Sequence, residues 1–67
     1  MQHIILKTRT LGTKAMKAEV LALAPSVVSF TKRHVPGCGY VFYATDNNDV
    51  TRVQISKTRQ GCVATVK

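Results

Sequence analysis

The apolar residues of this chain change period once. Between Lys14 and Ala24, the residues Met16, Val20 and Leu23 recur at i, i+4 and i+7, which sets them on one stripe of a helix. Ala, Lys, Leu, Glu and Met fill that segment and favour helix. Lys14, Lys17 and Leu21 fall on the other side. Thr13 stands where an N-cap is needed, with a hydroxyl that can accept an otherwise orphaned backbone N–H. Pro25 ends the helix, because the residue before a proline avoids helical geometry. After Pro25 the period becomes two. Val27–Val35, Tyr40–Thr45, Val50–Lys57 and Cys62–Val66 read as four strands rich in β-branched and aromatic residues. Residues 3–9, HIILKTR, read as an earlier strand with Ile4 and Leu6 on one side and His3, Ile5, Lys7 and Arg9 on the other.

The segments between the later strands are PGCG, DNND and TRQG, short and built of turn-forming residues, so consecutive strands are expected to pair as antiparallel hairpins. Four-residue loops set Val35 opposite Tyr40, Phe42 opposite Val53, Ile55 opposite Ala64 and Val53 opposite Val66. One face of the sheet then carries Val35, Tyr40, Phe42, Ala44, Val53, Ile55, Cys62, Ala64 and Val66, and the helix stripe is its cover. Val28–Phe30 is expected to join that core. The other face carries Lys32, His34, Val41, Tyr43, Arg52, Gln54 and Thr65. Arg33 falls on the apolar side in this register, a misfit to be relieved by a position at the sheet edge. The expected fold is one α+β domain over residues 1–67, in the order β-α-β-β-β-β: an antiparallel meander with one helix packed on one sheet face. The pattern leaves the neighbour of the first strand open.

Charge narrows the choice of partner. Ten Lys and Arg stand against three carboxylates, Glu19, Asp46 and Asp49, for a net charge of +7. A chain so basic favours anionic partners. The hydrophobic fraction of 45% and its patterning exclude a disordered chain. Ile4-Ile5-Leu6 and Val20–Ala24 are too short for a signal h-region or a membrane span, so a cytoplasmic protein with no membrane partner is expected.

Residues 33–43, RHVPGCGYVFY, concentrate the candidate chemistry. Cys38 and Cys62 are too few for a disulfide scaffold, and their strands stand two spacings apart, about 9–10 Å, beyond the roughly 7 Å that a disulfide spans. Free thiols are expected, Cys38 at an exposed loop tip and Cys62 as a small core residue. His3, His34, Cys38 and Cys62 form a two-His, two-Cys set but contain no close ligand pair of the CxxC or HxxxH kind, so no metal and no cofactor is expected. A Cys38–His34 nucleophile lacks an evident orienting group, and the carboxylates form no acid–base pair, so no enzymatic activity is expected. PGCG leads into a strand rather than a helix, unlike a phosphate loop.

Nucleic-acid binding, to DNA or RNA, is the favoured reading. Lys32, His34, Tyr43, Arg52 and Gln54 combine cations for phosphates with an aromatic ring for stacking, and Lys7 and Arg9 extend the positive field. The alternative is an interaction or inhibitory module of the viral or mobile-element accessory type, binding an acidic protein partner. Open sheet edges also make a homodimer possible.

Overall fold

The computed structural model describes residues 1–37 and 39–67, so the expectation for Cys38 lies outside the described residues. The elements are β1 (Gln2–Ile5), α1 (Lys14–Leu23), β2 (Val27–Val35), β3 (Gly39–Asp46), β4 (Thr51–Thr58) and β5 (Gly61–Val66). All strands pair antiparallel in one five-stranded sheet of order β1-β5-β4-β3-β2. The fold is α+β. β2 to β5 follow one another across the sheet, but β1 lies beside β5, so the order is not that of a simple meander.

α1 begins where the cap allows. Thr13 is extended, at φ −84° and ψ 162°, and its Oγ1 accepts the N–H of Met16 at 3.1 Å. The helix closes at Ala24, whose N–H donates to Val20 O at 2.8 Å. Met16 and Val20 from α1 and its C-cap Ala24 meet Ala44, Val53, Ile55, Cys62 and Ala64 from the sheet in one apolar cluster, which Leu6, Val27 and Phe42 extend. Cys62 is a free thiol, fully buried there.

The buried stripe differs from the expected one at its last position. Leu23 is 38% exposed and Ala24 takes its place. The cause is the exit of the chain: Val27 N–H donates to Ala24 O, and Val27 itself is buried, so the turn at Pro25 draws Ala24 inward. Val28 is also outside the core. It is the extra residue between the Val27–Asp46 and Ser29–Thr45 pairs, and this irregularity turns it out to 64% exposure while Phe30 packs on the core.

β1 ends at Ile5 rather than Arg9. Leu6 still donates its N–H to Cys62 O at 2.8 Å, but Lys7 and Thr8 give their N–H groups to Glu19 and leave the ladder. Lys7 and Arg9 therefore sit in the loop between β1 and α1.

The expected register is found between β4 and β5, with Val53 opposite Val66 and Ile55 opposite Ala64. Between β3 and β4 it differs by two residues, Phe42 lying opposite Ile55, so the faces are unchanged. Between β2 and β3 it differs by one. Val35 pairs with Gly39, His34 with Tyr40, Arg33 with Val41 and Lys32 with Phe42. Gly37 and Gly39 both have positive φ, 84° and 83°, and a glycine in that region closes a three-residue hairpin connection. A shift of one residue exchanges the two faces of a strand, so Lys32, Arg33, His34 and Val35 each lie on the side opposite to the expected one, while Phe30 packs on the core as expected.

Val20 is inaccessible to solvent and Leu23 is not. Val20→Asp should therefore leave the domain unfolded by circular dichroism, since it removes a core side chain and buries an unpaired charge. Leu23→Asp should cost within about 1 kcal/mol in a urea titration. Equal losses from the two variants would show that the stripe is misassigned.

Candidate nucleic-acid interface

The register of β2 divides the expected basic face in two. Tyr43 and Gln54 stay on the face away from the helix and, in the observed register, lie opposite each other, in a row that runs Thr31, Tyr43, Gln54, Thr65, His3 across the sheet. His3 Nδ1 and Thr65 Oγ1 lie 3.1 Å apart in that row. The cation beside Tyr43 is Arg33, with its guanidinium carbon 6.0 Å from the ring centroid. The misfit of Arg33 thus disappears.

Lys32 and His34 point the other way, to the helix side, where Phe42 and Tyr40 are their cross-strand partners. His34 meets the Tyr40 ring edge to face, with centroids 5.5 Å apart and planes at 73°. Lys32 Nζ lies 4.4 Å from the same ring's centroid, within cation–π range. Tyr40, expected in the core, is 49% exposed. The helix covers β3 only in part. Beyond its N-terminus a recess of about 540 Å³ opens, lined by Leu11, Gly12, Lys32, Gly39, Tyr40, Phe42 and Lys57. Gly12 has φ 80°, a conformation that favours glycine, and a Cβ there would come within 3.1 Å of Phe42 Cζ, so the loop passes close against the edge of that ring. Lys57 Nζ donates to Arg9 O and holds the loop against β4.

Arg52 is separate from both groups. It is the extra residue where the β3–β4 pairing shifts, and its Nε lies 3.7 Å from Asp46 Oδ2, the only ion pair among the described residues. His3 and His34 stand on the two outer strands, and no group of three or more His, Cys, Asp or Glu side chains comes together among the described residues.

The electrostatics follow from where the acids are held. Glu19 accepts from Thr8 Oγ1 at 2.6 Å, Thr8 N–H at 2.7 Å and Lys7 N–H at 2.9 Å. The Thr8 hydroxyl first, then these N–H groups and the Lys7 charge, hold its carboxyl below the usual range against a weaker opposing effect of desolvation. Asp46 Oδ1 accepts the N–H groups of Asn48 and Val50 in the β3–β4 turn. These bonds, with Arg52 nearby, lower its pKa as well. Asp46 and Asp49 lie at one end of the sheet. At the other end, Lys7 and Arg9 in the loop, Lys32 and Arg33 late in β2, Lys57 late in β4 and Arg59 in the β4–β5 turn make six of the ten lysines and arginines. Glu19 lies beside Lys7 with both its oxygens already accepting, and Asp49 lines a recess with Arg33.

Of the residues singled out from sequence, the structure thus brings together Tyr43 with Gln54, Lys32 with His34, and Lys7 with Arg9, and it leaves Arg52 apart. Sequence reasoning missed Tyr40 and Arg33 as surface residues. Gly39 was the signal that could have found them, since it marks the short connection. No family model, no curated protein and no solved structure matches the chain. No helix among the described residues is long and apolar enough to cross a membrane.

The bonds to Glu19 are made to its ionised form, so its folded pKa lies below the unfolded value of about 4.3. The stability it contributes is present above that value and is lost as pH falls through the lower folded one. Urea titrations between pH 7 and pH 3 should find Glu19→Gln less stable than the parent at pH 7, with the gap closing toward pH 3. A gap that stays constant across this range would contradict the role given to the carboxylate.

Proposed function

We propose that this protein is a non-enzymatic nucleic-acid-binding domain, and that the carboxylate-poor end of the sheet meets the phosphate backbone. One observation carries the reading: six cations gather at that end, where Glu19 already accepts three bonds and Asp49 shares a recess with Arg33 alone of the six, while Asp46 is bonded within the far turn. Cations without acid partners release counterions when they meet phosphates, which supplies sequence-independent affinity. Tyr40 and Tyr43, each beside a cation, give bases a surface for stacking. The non-enzymatic part rests on engaged groups. The described thiol, Cys62, is fully buried, and the two histidines contact Tyr40 and Thr65.

A second reading has an observation of its own. β2 is an outer strand of nine residues, and its late half is basic. An acidic extended segment of a partner protein would pair along it. The two readings separate by ligand, because an acidic peptide without bases engages the edge and gains nothing from the tyrosines.

Fluorescence anisotropy with labelled single-stranded DNA and RNA of mixed sequence, across a salt series, is the deciding measurement. Binding should weaken steeply with salt. Lys32→Glu together with Lys57→Glu should lower affinity at least about tenfold and reduce the log–log salt slope by about 1.4, from two lost phosphate contacts on a single strand. Arg52→Glu should change little, since Arg52 already faces Asp46 at the other end. No binding at low salt, or an equal loss from Arg52→Glu, would overturn the proposal.

A further inference from the structure

We infer that the recess beside Tyr40 is a seat for a single nucleotide unit, with the base against its apolar lining and the adjoining phosphate met by Lys32 and Lys57. This deepens the nucleic-acid reading and rests on it. The volume of about 540 Å³ falls in the range of roughly 300–1,000 Å³ found for small-molecule sites. The lining divides by chemistry. Leu11, Tyr40 and Phe42 offer apolar and aromatic surface, Lys32 and Lys57 offer two ammonium groups, and Gly12 and Gly39 carry no side chains to fill the space. An inorganic anion would leave the apolar part unused, and a neutral ring would leave the ammonium groups unused. A planar base joined to a phosphate satisfies both.

The cations are also placed in advance. Lys32 Nζ rests on the Tyr40 ring and Lys57 Nζ on the Arg9 carbonyl, and neither has a carboxylate partner among the described residues. His34 braces the Tyr40 ring edge to face, so less side-chain freedom is lost when a base stacks there. The second recess is a poorer seat. It is smaller, about 350 Å³, it offers Arg33 as its one cation, and it includes the carboxylate of Asp49, which repels phosphate.

The test uses amide correlation spectra of the intact chain at fixed ionic strength, titrated with AMP, adenosine and ribose 5-phosphate. AMP should move the resonances of Leu11, Gly12, Lys32, Tyr40 and Lys57 at concentrations at least about fivefold lower than either fragment requires. Tyr40→Ala should weaken AMP at least about fivefold, the low end of what stacking on one aromatic contributes. Tyr40 is half exposed, so this variant is expected to keep a dispersed, folded spectrum. Tyr43→Ala should leave the AMP response intact. Ribose 5-phosphate acting as well as AMP, or equal effects of the two tyrosine variants, overturns the inference. An oligonucleotide titration separates it from its premise. Oligonucleotide binding with a silent recess overturns the nucleotide seat and leaves the nucleic-acid reading standing. A recess that responds to AMP without oligonucleotide binding overturns the broader reading and keeps the seat.

Discussion

The pairing of Val35 with Gly39 decides where the surface chemistry of this protein lies. Side chains on a strand alternate between faces, so the length of one connection settles the direction of every residue on β2. With three residues between the strands, Phe30 turns toward the helix and packs on the core, and Lys32 and His34 follow it to the same side. There they meet Tyr40 just past the point where the helix stops covering the sheet. Arg33 turns outward, over Tyr43. One more residue in the connection would bury the guanidinium side and move Lys32 and His34 to the open face.

A second constraint acts on charge rather than direction. Among the described residues only Asp46 pairs with a cation, Arg52, and Glu19 and Asp46 mainly bond the backbone. Glu19 fastens Lys7 and Thr8 to the helix, and Asp46 organises the turn after β3. Each accepts bonds from backbone N–H groups, which otherwise would lack partners where the chain leaves the ladder. Surface ion pairs are weak in water. Using scarce carboxylates on backbone groups therefore contributes more order, and it leaves the positive potential of the remaining surface intact.

Much of the fold was legible in the residues. The Thr13 cap, the Met16–Val20 stripe and the stop at Pro25 are local properties, and they appear as the pattern implied. So does the β4–β5 register, where Ile55 and Ala64 must share the core face. What failed was set by backbone geometry that composition states only faintly. A turn of four and a turn of three look alike in PGCG unless Gly39 is read as the closing residue at positive φ. The irregularity at Val28 likewise hides inside an unbroken apolar pair, Val27-Val28. The placement of the candidate residues inherits these errors: Lys32 and His34 lie on the helix side rather than the open one, and Tyr40, which the pattern assigns to the core as an aromatic on a covered face, is half exposed. The place of β1 was not derivable, because Ile4 and Leu6 fit either outer strand equally well.

That place has a consequence for the order of assembly. β1 pairs Gln2 with Val66 and Ile5 with Val63, so the first strand has no neighbour until the last has been made. During synthesis the hairpins of β2 to β4 can close as they emerge, since their contacts are short in sequence. β1 must wait, its apolar residues unshielded, while some sixty residues of chain are added. Closing so long a loop is entropically costly and slows the final step relative to local pairing. β5 is thus the strand that makes the sheet whole, since it brings β1 to the edge of the β2–β4 hairpins.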